Sequence, residues 1–337
     1  MNKGSKERGV KMRTIFFTNH YEKGEMLDIT LSLVPEGFDL IMAGKEEARE
    51  ECMEMVRDAD YLFAGHTAMV DADILDAGKK LKMVQRFGVG LDSVDMEAMK
   101  QRGIPLYVNR GVNARSVAEL TVLLTLGMLR QLPKVSVNLR ANIWDGPSVS
   151  GISRRELHGQ TFGMIGFGKI GSLVAELLRP FGVNLIYTDP RRLSAEDEVK
   201  YNVGYRELDD LLKESDIVSL HCMMDEQNRG FMNKEAFAKM KDGARFINTS
   251  RGGLVNDVDF ADAILSGKLG GAAIDAYEIE PLPADSILLT LPNNVILTPH
   301  IGGVTRESFQ RIISEAFYNI KKFDEGDLNA IAERRIL

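Results

Sequence analysis

The chain has 337 residues, of which 44% are hydrophobic, and a formal net charge of −7 at pH 7. This provides enough apolar sequence for one or two domains with their own cores. The mild negative charge argues against a nucleic-acid partner, and no apolar run approaches the length of a membrane span. The polar start of the chain lacks a signal peptide's apolar core, and Cys52 and Cys222 show neither metal nor redox spacing, so we expect a cytoplasmic protein without a metal site.

Short apolar runs alternate with helical segments over the first third of the chain. The predicted strands cover 14–18, 38–42, 61–64, 83–87 and 105–108, and the predicted helices cover 27–33, 46–56, 71–81 and 96–102. This βα alternation predicts a parallel sheet covered by helices. Because the region has no G-x-G-x-x-G motif, we expect a flavodoxin-like unit that is separate from any nucleotide-binding domain.

A long helix is predicted over 113–132, and it is unusually apolar. Because it is apolar around much of its circumference, it must be buried, either as a crossover helix in its own core or against a second subunit. We favour the second alternative, which makes the protein a homodimer. The stretch 143–151, with the single tryptophan Trp144, is predicted to be an arm or loop that leads into the next domain.

The segment 161–192 has the pattern of a dinucleotide-binding βαβ unit. An apolar strand is followed by Gly166, Gly168 and Gly171 in G-x-G-x-x-G, then by a helix and a second strand that ends at Asp189. The first glycine permits a tight turn, the second lets backbone amides approach a pyrophosphate, and the third lets the helix pack closely on the strand. The helix N-terminus then faces the phosphates, and the acid binds the adenine ribose.

Asp189 also bears on the choice of cofactor. Its carboxylate would repel a 2′-phosphate, which favours NAD over NADP. Arg191 and Arg192 follow at once and could instead hold that phosphate, so NADP stays the alternative.

Further strands are predicted at 217–222, 244–248, 271–275 and 295–297, with helices at 234–240 and 257–266. Between 190 and 216 we expect only a polar helix-and-loop segment, and a last helix at 306–323 should return to cover the first domain. Arg251, Asp275 and His300 each follow one of these strands closely. The carboxyl ends of parallel strands meet at one edge of a sheet, so these three residues are candidates for one site.

The motifs G-F-G-K-I-G, Y-T-D-P, N-T-S-R-G-G, A-I-D-A-Y-E-I-E-P and T-P-H-I-G-G occur in this order and resemble those of the D-2-hydroxyacid dehydrogenases. That family includes phosphoglycerate dehydrogenase and glyoxylate/hydroxypyruvate reductase, and the likeness runs from about Met12 to about Phe323. It implies an α/β fold of two Rossmann-like, doubly wound parallel-sheet domains. A discontinuous, flavodoxin-like substrate domain (12–112 plus 302–337) would enclose an NAD-binding domain (113–301), and the long helix would support a homodimer.

By this resemblance, Arg251 binds the substrate, Glu280 is the acid partner and His300 is the proton donor and acceptor. The chemistry agrees, because a guanidinium fork can hold the carboxylate of a 2-keto acid. Histidine exchanges protons near neutral pH, and a neighbouring glutamate favours its imidazolium form. Glu278 is the rival acid, but Glu280 occupies the family's position before proline.

The remaining site residues fall into two groups. The candidate cofactor-binding residues are Gly166, Gly168, Lys169, Ile170, Gly171, Asp189, Cys222, Thr249, Ser250, Asp275, Gly302 and Gly303, with Asp275 placed near the nicotinamide carboxamide by the resemblance. The candidate substrate-binding residues are His66, Val89 and Gly90, together with Arg251.

Two departures from the family pattern refine these expectations. The segment 223–230, MMDEQNRG, replaces the family's P-x-T-x-x-T, and the loop AGHTAMV offers only His66 where a phosphorylated substrate would need cations. We therefore expect an NAD-dependent enzyme that interconverts a small, non-phosphorylated 2-keto acid and its D-2-hydroxy acid. The alternative is an NAD(H)-sensing, corepressor-like binding protein with weak dehydrogenase activity.

Overall fold

The computed structural model describes residues 12–19, 24–43, 49–65, 68–144, 146 and 154–337. The chain forms two compact units, one from Met1–Asn113 with Arg306–Leu337 and the other from Ala114–Thr305. Each unit is built on a parallel sheet with helices between its strands, which confirms the predicted fold class. The finer domain boundaries predicted from the sequence stay a prediction.

In the described part of the first unit, five strands form a parallel sheet in the order β2-β1-β3-β4-β5. These strands are β1 (Arg13–Phe17), β2 (Phe38–Met42), β3 (Tyr61–Ala64), β4 (Met83–Arg86) and β5 (Leu106–Tyr107). The helices between them are α1 (Glu25–Leu33), α2 (Arg49–Val56), α3 (Ala72–Ala77) and α4 (Met96–Arg102). The strand order is the one found in flavodoxin-like sheets, as the sequence predicted.

In the second unit, seven strands of the described residues form a parallel sheet in the order β12-β11-β10-β9-β6-β7-β8. They are β6 (Thr161–Ile165), β7 (Asn184–Thr188), β8 (Val203–Tyr205), β9 (Ile217–Leu220), β10 (Ala244–Asn248), β11 (Leu269–Ile274) and β12 (Val295–Leu297). The helices are α5 (Ala114–Leu129), α6 (Leu132–Arg140), α7 (Lys169–Leu178), α8 (Ala195–Tyr201), α9 (Leu208–Glu214), α10 (Lys234–Lys239) and α11 (Asp257–Leu265). The strand order reverses between β9 and β6, and such a switch point opens a ligand-binding crevice at the carboxyl ends of the strands.

The last long helix, α12 (Arg306–Asp324), belongs to the first unit, as predicted. Its apolar face packs against the sheet of that unit, where the Phe317 ring meets Phe63 edge-on at 6.0 Å. Burial of this face removes apolar surface from water, which is the main force that holds the helix in place.

The predicted helix over 113–132 is wrong at its end, because the chain forms two helices there. Helix α5 stops at Leu129, Gln131 adopts a left-handed conformation with φ of 55°, and α6 begins at Leu132 with Pro133 in its first turn. Proline has no N–H to donate and is favoured in the first turn of a helix, so the start of a second helix was readable from the sequence. Helix α5 is buried in its own unit, since Leu124 and Met128 lie in the core of the second unit, which is the crossover alternative that we did not favour. Burial against a second subunit stays a prediction.

Helix α6 leaves several apolar side chains exposed. They are Leu132, Val137 and Leu139, and just beyond the helix Ile143 and Trp144, whose side chain is 76% exposed. Most of the arm predicted over 143–151 lies outside the described residues. No helix in the described ranges has the length and apolar character needed to cross a membrane.

The segment between 190 and 216 contains more structure than predicted. It forms α8, β8 and α9, and β8 adds an edge strand next to β7. One start signal was present, because the Ser194 hydroxyl caps α8 by accepting from the Asp197 amide at 3.1 Å. The elements are short and polar, which explains why periodicity alone did not separate them.

Candidate active site

The glycine loop after β6 has the geometry that its three glycines predict. Gly166 has a φ of 96°, and a Cβ atom there would lie 2.5 Å from the Cys222 amide nitrogen. A Cβ on Gly171 would lie 2.7 Å from the Gly166 carbonyl oxygen, which shows how closely helix and loop pack. At Gly168, by contrast, a Cβ would meet no described atom within 4 Å. The backbone at Gly168 is therefore open to a ligand.

The start of α7 and the end of β7 complete this cradle. Gly168 has no side chain to cap α7, so the amides of the first turn, around Lys169 and Ile170, can bind a phosphate. Asp189 lies beside the loop, and its Oδ2 accepts from the Phe167 amide at 2.9 Å. The residues present thus fit an NAD pyrophosphate and ribose.

Arg192 is already engaged by other side chains. Its guanidinium binds Glu198 at 2.9 Å and lies over the Tyr205 ring at 4.9 Å from the centroid. This pairing makes Arg192 a poor clamp for a 2′-phosphate, because its charge is balanced by Glu198. Of the two arginines, Arg191 remains the candidate for such a contact.

His300 and Glu280 form a close pair after β12 and β11. The imidazole Nδ1 lies 2.8 and 2.7 Å from the two carboxylate oxygens of Glu280, and the side chains are 28% and 27% exposed. The Tyr277 amide also donates to Glu280 at 3.0 Å. Glu278, the rival acid, binds Arg229 at 2.9 Å. Of the two glutamates, the structure therefore brings Glu280 to His300.

The turn that carries His300 (298–302, the histidine turn) is held by a buried carboxylate. Asp275 is 1% exposed and accepts from the Thr298 hydroxyl at 2.6 Å, the Ile301 amide at 2.9 Å and the Gly302 amide at 2.8 Å. These bonds offset the cost of the left-handed conformation of His300, whose φ is 52°. Both carboxylate oxygens of Asp275 accept hydrogen bonds from the histidine turn. The predicted contact of Asp275 with the nicotinamide carboxamide stays a prediction.

Arg251 lies in the loop after β10 (249–253, the arginine loop). Asn248 fixes this loop, since its side chain accepts from the Ser250 amide at 3.0 Å and donates to the Arg251 carbonyl at 2.9 Å. The Arg251 guanidinium donates to the Ser250 carbonyl at 2.8 Å. Gly252 packs so tightly against Tyr277 that a Cβ would collide with its backbone. The arginine loop therefore lies against the segment that leads to Glu280.

Cys222 and its neighbour His221 lie beside the glycine loop. Burial raises the pKa of the Cys222 thiol to about 11, so the thiol stays protonated at neutral pH. The two ring nitrogens of His221 are buried, and burial lowers the pKa of the imidazole to about 3. A histidine that stays neutral at pH 7 is a poor proton donor, so His221 does not compete with His300 as the predicted proton donor.

The predicted substrate loops of the first unit are only partly described. His66 lies outside the described residues, whereas Val89 and Gly90 follow β4 in a turn. Sequence reasoning missed Arg86, which is 4% exposed and donates to the carbonyls of Gly65 at 3.0 Å, Ala68 at 3.1 Å and Gly90 at 3.3 Å. An arginine at the end of a buried strand was the available signal, because a buried charge needs partners.

A glycine loop at the switch point of a doubly wound sheet, with an acid after the next strand, defines a dinucleotide-binding domain. Residues 122–302 match the family model described as D-isomer specific 2-hydroxyacid dehydrogenase, NAD binding domain. The chain belongs to the D-isomer specific 2-hydroxyacid dehydrogenase family.

Named relatives span almost the whole chain. A hydroxypyruvate reductase from Thermotoga maritima is 39% identical over 287 residues, which cover 84% of this chain and 91% of that protein. A glyoxylate reductase from Thermofilum pendens is 34% identical over 312 residues, which cover 91% and 92%. A D-lactate dehydrogenase structure from Aquifex aeolicus, complexed with NAD and lactic acid, has a TM-score of 0.82 at 28% identity and covers 96% of this chain and 99% of its own.

These findings confirm the resemblance on which the sequence prediction relied. The chain is an NAD-dependent oxidoreductase that acts on the CH–OH group of 2-hydroxy acids. The relatives are enzymes, so they favour catalysis over a corepressor-like role.

Proposed function

We propose that this enzyme reduces small, non-phosphorylated 2-keto acids to D-2-hydroxy acids and catalyses the reverse reaction. The observation that carries the proposal is the contact of 2.7–2.8 Å between His300 Nδ1 and the Glu280 carboxylate. A histidine held by a carboxylate through one nitrogen can exchange a proton through the other.

The proposed roles follow from this geometry. NADH, when held at the glycine loop and Asp189, would supply the hydride for C2 of the keto acid. The protonated ring of His300 donates its Nε2 proton to the carbonyl oxygen, which becomes the hydroxyl group. Glu280 accepts from Nδ1, which orients the ring and stabilises its positive form. In oxidation the neutral Nε2 takes the hydroxyl proton instead.

Arg251 is the proposed anion-binding group for the substrate. Its planar guanidinium can hold the substrate carboxylate through two parallel hydrogen bonds and polarise the neighbouring carbonyl. The backbone amides of Val89 and Gly90, and the side chain of His66, remain the other candidates for substrate binding.

Hydroxypyruvate and glyoxylate are the first candidate substrates, because they name the activities of two relatives. The loop sequence AGHTAMV supports a non-phosphorylated substrate, since it contains no lysine or arginine to bind a phosphate.

A panel of keto acids tests this proposal. Oxidation of NADH and of NADPH would be followed with glyoxylate, hydroxypyruvate, pyruvate and 3-phosphohydroxypyruvate, and the product's handedness determined by chiral chromatography. We expect turnover of at least one small keto acid, a D product and preference for NADH. Strong preference for 3-phosphohydroxypyruvate would overturn the substrate class, and no turnover with any of them would overturn the reaction.

We also infer a homodimer in a reducing, cytoplasmic setting. The apolar side chains exposed on α6 support the dimer, since such a patch is costly to leave in water. The two cysteines, Cys52 and Cys222, which form no disulfide among the described residues, support the reducing setting. Light scattering should give a dimer mass, and Val137→Glu should shift it towards the monomer. Leu265→Glu, on an exposed leucine of α11, is the matched control and should leave the mass unchanged.

A further inference from the structure

Helix α5 carries two buried hydroxyl groups that contact the candidate site. The Ser116 hydroxyl donates to the Gly302 carbonyl of the histidine turn at 2.7 Å. The Thr121 hydroxyl oxygen lies 3.0 Å from that of Thr249 in the arginine loop. Both helix residues are buried, so these bonds form away from water. One helix therefore touches both of the segments that carry proposed catalytic groups.

The contact of Ser116 completes a clamp on the histidine turn. Gly302 donates its amide to Asp275 at 2.8 Å, and Ser116 donates to the carbonyl of the same residue. A Cβ on Gly302 would also lie 3.6 Å from the Val117 side chain, so the helix surface itself packs on this residue. The backbone two positions after His300 is thereby held from both sides.

Counting hydroxyl protons shows which of the two threonines, Thr121 or Thr249, donates the hydrogen bond between them. The Thr121 hydroxyl donates to the Val117 carbonyl of its own helix at 2.9 Å. A hydroxyl has one proton, so in the pair with Thr249 it must be Thr249 that donates. Thr121 thus fixes the Thr249 hydroxyl as a donor towards α5, two positions before Arg251.

We propose that Ser116 and Thr121 are positioning residues, which hold the histidine turn and the arginine loop in the geometry needed for catalysis. Neither residue is proposed to touch the reacting atoms. Ser116 acts through the backbone of Gly302, near His300, and Thr121 acts through the side chain of Thr249, near Arg251. The proposal rests on the proposed function, because positioning matters for turnover only if His300 and Arg251 act on the substrate.

Helix α5 also provides a matched control. Thr125 lies one turn further along, is equally buried, and donates to the Thr121 carbonyl at 2.7 Å within the helix. Thr125→Val therefore removes a buried helix hydroxyl of the same kind that has no recorded bond to either loop among the described residues. Thr121→Val and Ser116→Ala remove the two loop contacts, and Thr121→Ser keeps the hydroxyl.

The experiment compares these four variants of the full chain with the wild type. Steady-state kinetics give kcat and KM for the keto acid, thermal melts give Tm, and hydrogen exchange by mass spectrometry reports on peptides that cover 249–253 and 298–302. We expect Thr121→Val and Ser116→Ala to lower kcat about tenfold, the kinetic equivalent of one lost buried hydrogen bond. Hydrogen exchange should rise in the loop that each variant releases. Thr121→Ser should restore kcat, and Thr125→Val should lower Tm without lowering kcat.

The proposal is overturned if Thr125→Val loses as much kcat as Thr121→Val at a similar Tm, because the effect would then be general destabilisation. Unchanged hydrogen exchange in both loops overturns it as well. If the wild type turns over no keto acid, the proposed function fails, and hydrogen exchange alone decides the positioning role. Should Thr121→Val not fold, Ser116→Ala applies the same test to the histidine turn.

Discussion

Replacing Glu280 by glutamine tests the proposed acid–base pair most directly. The substitution keeps the size and shape of the side chain but removes the charge that faces His300 Nδ1 at 2.7–2.8 Å. The amide of glutamine can still accept the bond from Tyr277 that Glu280 accepts at 3.0 Å, so the local backbone should persist. Activity would then report on the charge and not on the fold.

The size of the effect follows from the contact. A hydrogen bond to a charged group contributes about 1.5–3 kcal/mol, and each 1.4 kcal/mol changes a rate about tenfold. The imidazolium form is needed when the proton is transferred, so the loss should fall on kcat. We therefore expect Glu280→Gln to lower kcat by about 10- to 150-fold, with little change in the affinity for NADH.

Glu278→Gln is the matched control for this variant. Glu278 lies two residues away and binds Arg229 at 2.9 Å, so its charge should matter little for proton transfer. Stopped-flow measurement of NADH oxidation, with and without a deuterated solvent, would show whether proton transfer has slowed. A wild-type rate in Glu280→Gln, or an equal loss in both variants, would refute the role assigned to the pair.

Three further changes test other parts of the structure. Asp189→Asn keeps an acceptor for the Phe167 amide but removes the charge, so the NADPH:NADH ratio of kcat/KM should rise by about tenfold or more. Arg251→Ala should lower kcat/KM for the keto acid by about 100-fold through loss of a paired carboxylate contact, and fluorescence titration should show unchanged NADH binding. Burial raises the pKa of Asp216, but its bonds from Lys241 and a backbone amide outweigh that effect and lower it. The stability that the ionised Asp216 contributes is present above the unfolded pKa of about 3.9 and is lost as the pH falls through the lower folded pKa. Asp216→Asn should therefore lower Tm at pH 7, and its Tm should approach that of the wild type as the pH is lowered through the folded pKa.

Each of these changes has an outcome that contradicts it. An unchanged cofactor ratio would mean that Asp189 does not select against the 2′-phosphate. A loss of NADH affinity in Arg251→Ala would place that residue at the cofactor instead. For Asp216, the control is Asp242→Asn, which removes an ion pair of a highly exposed carboxylate with Lys268 and should hardly change Tm. An equal effect in both variants would argue against a special contribution of the partly buried Asp216.

Much of the architecture could be predicted because the strands of both sheets are short apolar runs between helical segments. The glycine loop and the pairing of Glu280 with His300 were also accessible, the first from spacing and the second from the family resemblance. The catalytic roles stay predictions. What sequence reasoning missed depends on tertiary packing: nothing local marks the hydroxyls of Ser116 and Thr121 as contacts of loops more than a hundred residues away.

Other misses had a local signal. Pro133 in the first turn of α6 marks the start of a second helix, and Ser194 with Asp197 marks the start of α8. Arg86 is different, because a charged residue at a strand end gives no hint of which carbonyls it will bind. Its partners became visible only when the loops after β3 and β4 were placed side by side.

The bond between Asp189 and the Phe167 amide has a consequence for protein engineering. One carboxylate holds the turn that would cradle either dinucleotide and is also the group predicted to discriminate between them. An alanine at this position would therefore relax selectivity and loosen the turn together, and binding would then have to reorder it. A useful switch towards NADP therefore needs a residue at position 189 that still accepts the hydrogen bond from the Phe167 amide but carries no negative charge.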